Sequence, residues 1–329
     1  MRTIKMAAVQ PEYLPIPNGY HYLSDPYANA PEEIFSHFIQ PNMEVTTGLL
    51  EKAGQQGCDI VSTSEDATQT GNYCADISSR NVFPELVRLS YPVLESKLAE
   101  IARKYGMYIV GCYNKAYGNK IYNVASLFDR KGNICGEYRK THLPPDEKWQ
   151  VSEGDALEVF KLDFGTVGIC ICYDMMFQEC TEVLALKGAE VIFHPTAGYG
   201  WYDEIGEATI RTRANDNSVY IVTSKNYRFN GAGKSSVVDY WGHVLVDACF
   251  KSNAVVFAEV DLDVRKTQPD WFNPVHMSGS ADVRIRMAKE RRPDLYGPIA
   301  RPLQERFQAP PKDVQMDILN KMKTGQCRW

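Results

Sequence analysis

The chain has 329 residues, of which 44% are hydrophobic and 23% are charged, and it carries a formal net charge of -5 with a pI near 5.8. This composition is typical of a soluble globular protein with a sizeable core. The acidic balance offers no attraction to nucleic acid or to an anionic membrane, and no apolar run approaches the ~20 residues of a membrane span.

The cysteines indicate a reduced protein. Nine cysteines are scattered singly behind a start that reads as a strand rather than a signal peptide, which favours free thiols in the cytoplasm. No second pair with ligand spacing follows Cys170 and Cys172, and His142 and His194 are not spaced four apart on a helix. No glycine-rich phosphate loop follows a strand. We therefore expect neither a metal nor a cofactor.

The first half of the chain alternates between strand and helix patterns. Apolar runs predict strands at 3–10, 58–65, 107–113, 120–128 and 134–140, and helices at 43–56 and 92–105. The segment 11–42, rich in Pro, Tyr and Asn, is predicted to be a long loop over a site. A shorter polar loop is predicted at 66–83.

The second half continues this alternation. Strands are predicted at 167–171, 189–194, 218–224 and 253–261, with a hairpin at 235–247 and helices at 174–187 and 203–217. Helices interleaved with strands and hairpins favour an α/β fold with one or more mixed sheets.

The composition changes near residue 264. Prolines and arginines accumulate beyond it while hydrophobic residues thin out, so we predict a domain at 1–264 and a C-terminal arm at 265–329. Such an arm is either a solvated tail or a segment docked on the core or on a partner subunit. Trp271, Phe272, Tyr296 and Phe307 favour docking.

Cys172 stands where a buried strand gives way to a helix. Backbone N–H groups at such an elbow are still free, and together with the helix dipole they can stabilise a thiolate or an oxyanion. The alternative is a buried structural cysteine, which is common for this residue type. Residues elsewhere in the chain decide between a reactive and a structural Cys172.

Three predicted strands end in residues that complement one another: Glu65, Lys140 and Cys172. A strand-end Glu or Lys alone is usually a solvated charge. Together the three supply a base, a cation and a nucleophile, and the carboxylate can take the thiol proton while the ammonium offsets its charge.

Several segments resemble the nitrilase superfamily of carbon–nitrogen hydrolases, in order and over about residues 4–264. They are Met6–Gln10, Tyr122-Asn123, Tyr138–Leu143, Gly168–Asp174, Gly188–Ile192 and Arg213–Asn217. The chain departs from the family where Ser64 and Gln178 replace usual prolines. Neither change removes a catalytic group.

The resemblance implies a four-layer α-β-β-α sandwich with two mixed sheets. It also implies that Cys172 is the nucleophile, Glu65 the general base and Lys140 the stabiliser of the tetrahedral intermediate, with the backbone N–H of Tyr173 in the oxyanion site. Glu147 resembles a second glutamate that many members place near this triad, although a surface ion pair is the alternative. His142 is read as a structural hydrogen-bonding residue.

The reaction implied by the resemblance is hydrolysis of a small linear amide through a cysteine thioester. Members that cleave nitriles have Trp-Glu after the nucleophile, whereas this chain has Tyr173-Asp174, which favours an amidase or an N-carbamoyl amidohydrolase. A nitrilase, and a catalytically silent binding or scaffold protein, remain alternatives. A homodimer or larger homo-oligomer is also implied.

The substrate pocket is less defined by the sequence. Relatives that bind a carboxylate place arginine shortly after the nucleophile, where this chain has Met175-Met176. Apolar Met suggests a neutral or aliphatic substrate, unless these residues are core fillers and Arg211 or Arg228 binds a carboxylate instead. The candidate pocket residues, which could equally be packing residues, are Tyr73, Met176, Tyr199 and Trp201.

Overall fold

A computed structural model describes residues 1–15, 30–75, 77–198, 203–227, 233–264 and 291–301. The chain divides into two units, Met1–Ile285 and Arg286–Trp329. In the second unit, residues 291–301 contain a 3-10 turn at Pro293–Leu295. The proposed boundary after residue 264 stays a prediction, because residues 265–290 lie outside the described residues.

Twelve strands build two six-stranded sheets within the described ranges. The first sheet has the order β12-β1-β2-β3-β4-β5 and the second the order β11-β10-β9-β8-β7-β6. The strands are β1 Thr3–Gln10, β2 Ile60–Ser62, β3 Tyr108–Tyr117, β4 Lys120–Phe128, β5 Ile134–Arg139, β6 Val159–Lys161, β7 Thr166–Ile169, β8 Val191–Thr196, β9 Tyr220–Lys225, β10 Ser236–Val238, β11 Val244–Asp247 and β12 Ala254–Asp261.

The two sheets share one plan. Three central strands run parallel in each, β1-β2-β3 in the first and β7-β8-β9 in the second, and the flanking strands pair antiparallel. Because parallel strands begin and end at the same edges, the residues after β2 and after β7 each leave at the carboxyl edge of a sheet. Both sheets are mixed, as expected.

Helices cover the outer face of each sheet, which gives the predicted α-β-β-α layering. They are α1 Pro31–Ile34, α2 Gln40–Gln55, α3 Thr70–Tyr73, α4 Phe83–Tyr105, α5 Gln178–Leu186 and α6 Asp203–Asn217. Helices α2 and α4 pack on the first sheet, and α5 and α6 pack on the second. None of the helices in the described ranges is both long and apolar enough to cross a membrane.

The alternation of side chains along β1 shows how the layers meet. Met6 and Ala8 belong to the apolar cluster between the sheets, whereas Ala7 and Val9 face the helices. All four are fully buried. Strands covered on both faces carry near-continuous apolar runs, which is why the sequence locates this strand correctly.

The predicted loop at 11–42 is wrong in its last third. Helix α1 starts at Pro31, a π-helical turn follows at Phe35–Ile39, and α2 starts at Gln40. Ile34, Phe38 and Ile39 are buried in the core. Pro41 has no N–H to donate into a helix, so the sequence suggests a break there. In the structure a π-helical turn precedes it, and the helix continues through the proline.

The helix predicted at 92–105 begins nine residues earlier, at Phe83. Pro84 lies at its first turn, and Pro92 is accommodated inside the helix. The predicted polar loop at 66–83 contains α3 and a 3-10 helix at Ile77–Val82. The short strand β6 was not predicted. Gly106 ends α4 in a left-handed conformation, as the sequence indicates.

Two glycines of α2 give a matched test of how this helix packs. A Cβ on Gly54 would lie 2.3 Å from the ring of Tyr105 at the end of α4, whereas a Cβ on Gly48 would meet no atom within 4 Å. We expect Gly54→Ala to lower the free energy of unfolding by about 1–3 kcal/mol through overpacking. Gly48→Ala should raise it by about 0.5–1 kcal/mol. Urea denaturation measures both, and equal effects would contradict the packing described.

Candidate active site

The three predicted strand-end residues converge. Glu65 follows β2 at the edge of the first sheet, Lys140 follows β5, and Cys172 follows β7 in the second sheet. The Nζ of Lys140 donates to Glu65 Oε1 over 2.8 Å. Cys172 lines the same cavity as Glu65, and the charge of Glu65 acts on its thiol. The two sheets therefore bring a carboxylate, an ammonium and a thiol to one site.

Glu147 joins the same cluster. Lys140 Nζ donates to both of its carboxylate oxygens, over 2.7 and 2.8 Å. The Lys140 side chain has no solvent exposure and that of Glu147 is 22% exposed. Glu147 is therefore not a surface ion pair: a fully buried ammonium is held between two carboxylates.

Glu65 is held by neighbours from both sheets. Asn123 Nδ2 donates to Oε1 over 2.9 Å, and the backbone N–H of Ala197, just beyond β8, donates to Oε2 over 2.9 Å. These bonds fix the carboxylate plane. Asn123 was part of the sequence resemblance, but nothing in the sequence pattern indicated that it would orient Glu65.

Cys172 sits on a strained elbow. Its φ of 44° lies in the left-handed region, and it opens a 3-10 helix at Cys172–Met176. Such a conformation in a non-glycine residue costs about 1–3 kcal/mol and persists only where its surroundings enforce it. The ring of His194 donates from Nε2 to the Cys172 carbonyl over 3.3 Å, and burial lowers the His194 pKa to about 4, so this ring is neutral at pH 7.

Asp174 fixes the rest of the elbow. The fully buried carboxylate accepts from the backbone N–H of Ile171 and of His142, each over 2.9 Å, and from the hydroxyls of Tyr138 and Thr141. Burial would raise its pKa, but these hydrogen bonds and that of the His142 ring hold the pKa below its usual value. His142 thus contacts Asp174 rather than the nucleophile, which supports a structural role.

The charges in the cluster are strongly coupled. Burial would raise the pKa of Glu65, but the charge and hydrogen bond of Lys140 hold it below its usual value. Burial would lower the pKa of Lys140, but the negative charges around it hold that pKa well above its usual value. Burial and the charge of Glu65 raise the pKa of Glu147 to about 7. Near neutral pH, Glu65 is a carboxylate and Glu147 is close to its titration point.

Cys172 retains its proton in the resting site. Burial and the neighbouring charge of Glu65 raise its pKa to about 12, against the lowering effect of Lys140. A thiol with this pKa needs a base to take its proton when it attacks. The ionised Glu65, which lines the same cavity and acts on the thiol through its charge, is the base placed to do so.

The backbone N–H of Tyr173 is available for an oxyanion. It is the second residue of the 3-10 turn, where N–H groups lack helical partners, and it has no acceptor among the described residues. Tyr173 lines the same cavity as Cys172, Glu65 and Glu147, which has a volume of about 540 Å³. This volume suits a small organic molecule.

Those candidate pocket residues that the structure describes do not line this cavity. Tyr73 is buried in the core with its ring 5.1 Å from that of Phe38. Met176 is 51% exposed and does not line the cavity. Arg211 binds the carbonyl of Gly242 from the outer helix α6. Tyr199, Trp201 and Arg228 lie outside the described residues.

Asp66 shapes one wall and was missed by the sequence analysis. Its φ is 50°, and its carboxylate accepts from the backbone N–H groups of Gly71 and Asn72 and from the side chain of Asn114. These bonds fold the segment after Glu65 into α3. Asp66 is followed, after Ala67, by a Thr-Gln-Thr-Gly run, which is a turn signal that could have indicated this.

One group of side chains in the described part of the chain has the spacing of metal ligands. His142, Asp174 and Cys180 place one ligand atom each within 4.8 Å of the others. The Asp174 oxygens already accept hydrogen bonds from two backbone N–H groups and two hydroxyls. These bonds account for the group as a structural support of the elbow.

The chain is similar in sequence to known proteins. The sequence profile of the carbon-nitrogen hydrolase family matches residues 30–269. The omega-amidase of Danio rerio is 34% identical over 221 residues, covering 60% of this chain and 73% of that protein. The deaminated glutathione amidase of Mus musculus is 29% identical over 289 residues, covering 80% and 82%.

Solved structures share the fold. A carbon-nitrogen hydrolase from Helicobacter pylori G27 superposes with a TM-score of 0.70 at 21% identity, over 92% of this chain and 99% of that one. An amidase from Nesterenkonia sp. AN1 superposes with a TM-score of 0.65 at 20% identity, over 89% and 95%. That amidase carries the acetamide moiety of fluoroacetamide on its active-site cysteine.

The electrostatic coupling of Glu65 and Cys172 can be measured by alkylation. Because the negative charge of Glu65 raises the pKa of the thiol and Lys140 lowers it, Glu65→Gln should shift the Cys172 pKa downward. The rate of iodoacetamide addition at Cys172, followed by peptide mass spectrometry across pH 6–10, should then rise at lower pH than in the parent. The exposed Glu158→Gln is the control, and an unchanged profile in Glu65→Gln would contradict the contact.

Proposed function

Since the chain belongs to the carbon–nitrogen hydrolase family, we propose that it hydrolyses a small linear amide to an acid and ammonia through a thioester on Cys172. The family sets the reaction class as hydrolysis of a carbon–nitrogen bond. Amidase relatives support an amide as the substrate. The observation that carries the residue roles is that Lys140 donates to Glu65 beside a cavity lined by both Glu65 and Cys172, where the charge of Glu65 acts on the thiol.

In the first half of the reaction, Cys172 Sγ attacks the amide carbon while Glu65 accepts the thiol proton. The oxygen becomes an oxyanion, which the Lys140 ammonium and the Tyr173 N–H stabilise; one good donor is worth about 3–4 kcal/mol. Glu65 then gives the proton to the departing nitrogen. Ammonia leaves and the acyl group stays on sulfur.

In the second half, water attacks the thioester. Glu65 accepts a proton from the water, the tetrahedral intermediate forms again at the same donors, and its collapse releases the acid. The proton held by Glu65 returns to the sulfur. Glu65 thus acts as base and acid in both halves, which requires it to be ionised at rest, as its lowered pKa indicates.

Glu147 holds Lys140 in place and tunes it. Its two hydrogen bonds keep the ammonium between the carboxylates. Its negative charge also neutralises part of the positive charge of Lys140, which would otherwise act on Glu65 alone. When Glu147 is protonated, Lys140 lowers the basicity of Glu65 further, which makes Glu65 a weaker base toward the thiol.

N-carbamoyl compounds are the second candidate substrate. The same groups can attack a ureido carbonyl, and Tyr173-Asp174 after the nucleophile favours both amides and carbamoyl compounds over nitriles. Release of carbon dioxide together with ammonia distinguishes a carbamoyl substrate from an amide. The convergence of Cys172, Glu65 and Lys140 at one site argues against a silent scaffold.

We further propose a homodimer or larger homo-oligomer in the cytoplasm. The aromatic residues of the arm at 265–329 support the assembly. All eight cysteines in the described ranges are free thiols, which supports a reducing compartment.

The reaction is tested by the acyl-enzyme. Incubation with a panel of amides, nitriles and N-carbamoyl compounds should release ammonia and leave a trapped acyl mass on the Cys172 peptide after acid quench. Cys172→Ala should keep its fold by circular dichroism and lose turnover by at least about 10⁴-fold. The exposed Cys135→Ala is the matched control, and turnover retained in Cys172→Ala would overturn the assignment.

Glu147 should produce a step in the pH profile. Because its pKa is about 7, kcat/KM should fall as the pH drops from 8 to 6, when the carboxylate is protonated and Glu65 loses basicity. Glu147→Gln should lack this step and resemble the low-pH parent throughout. The pH profile reflects the coupled titration of the whole cluster rather than of one residue. If Glu147→Gln keeps the step, a group other than Glu147 causes it.

A further inference from the structure

Arg80 lies on the wall of the catalytic cavity with no carboxylate of the described residues paired to it. It belongs to the 3-10 helix at Ile77–Val82 and lines the same cavity as Cys172 and Glu147. Among the described residues its guanidinium makes no ion pair, and its Nε is buried without a hydrogen-bond acceptor. A buried donor left unpaired is costly, so an acceptor is expected to come from outside the chain.

Stacking holds this guanidinium in place. The Arg80 Cζ lies 4.1 Å from the ring centroid of Trp149, which in turn packs edge-on against Phe83 with centroids 5.8 Å apart. A guanidinium stacked on an aromatic face keeps its in-plane N–H groups free for a planar bidentate acceptor. Arg2 and Arg130, in contrast, are each paired with carboxylates of the chain.

The other charges of the cavity are already accounted for. Glu65 and Glu147 bind Lys140, and Asp66 accepts from backbone N–H groups. Asp146 is exposed at the cavity and makes no ion pair with Arg80. Arg80 is therefore the cation of this cavity that remains for a ligand, within the described residues.

We propose that Arg80, stacked on Trp149, is the carboxylate-binding residue of this site, and that the substrate is an amide whose far end carries a carboxylate. This rests on the proposed amide hydrolysis and names its substrate class. It differs from the neutral substrate that the methionines suggested in the sequence, since Met175 and Met176 do not line the described cavity and the cation comes from a different segment.

The test compares two amides of equal chain length, glutaramate and valeramide, which differ in the terminal carboxylate. Arg80→Gln should lower kcat/KM for glutaramate about 10- to 100-fold, mainly through KM, and change that for valeramide less than about twofold. Arg80→Lys, which keeps the charge but not the fork, should lie between. Arg88→Gln, an exposed arginine on α4, is the matched control and should change neither.

Binding supplies a second readout that is independent of turnover. Glutaramate should bind the Cys172→Ala protein in calorimetry, and the added Arg80→Gln should weaken that binding by a similar factor. Equal losses for both amides in Arg80→Gln would make Arg80 a structural residue and overturn the proposal. Parent protein that hydrolyses both amides equally would overturn the carboxylate subsite but leave amide hydrolysis standing. Parent protein inactive on every compound would overturn both.

Discussion

The site depends on one buried ammonium shared between two carboxylates. Lys140 has no solvent exposure, and burying such a charge is tolerated only when it is paired and fully hydrogen-bonded. Its partners come from a strand end, Glu65, and from the loop after β5, Glu147. The same ion cluster that offsets the desolvation of Lys140 keeps Glu65 ionised at the cavity that Cys172 lines. Stability and chemistry therefore rest on the same three side chains.

The sandwich is what makes this cluster possible. Glu65 leaves the carboxyl edge of the first sheet and Cys172 that of the second, so the site forms where the two edges meet. The Ala197 N–H, from the second sheet, holds a carboxylate that belongs to the first. Each sheet supplies groups that the other lacks, and correct packing of the sheets is a condition for a complete site.

The sequence predicted the strands and the central residues well, for physical reasons. Strands buried on both faces carry apolar runs that are visible without a structure, and Glu65, Lys140 and Cys172 stand at their ends. The start of α1 and the first turns of α4 were missed, because Pro41 and Pro92 suggest breaks that a π-helical turn and a tolerated helical proline overcome. Tyr73 was proposed for the pocket but packs against Phe38 in the core.

The residue roles that the sequence did not reveal depend on contacts between segments far apart in the chain. Asn123 acts through a hydrogen bond to Glu65, 58 positions away, and Arg80 becomes distinctive only when Trp149, 69 positions later, lies beneath it. A sequence pattern does not indicate whether the guanidinium of an arginine is paired with a carboxylate in the fold. Such residues are recognised by what surrounds them in space.

Because the Cys172 thiol holds its proton, its sulfur should resist peroxide and other oxidants. These reagents react with thiolates, and a pKa of about 12 leaves on the order of one thiol in 10⁵ ionised at pH 7. Glu65 takes the thiol proton only when the sulfur attacks an electrophile bound beside it. A nucleophile that loses its proton only during turnover is protected from oxidation between turnovers.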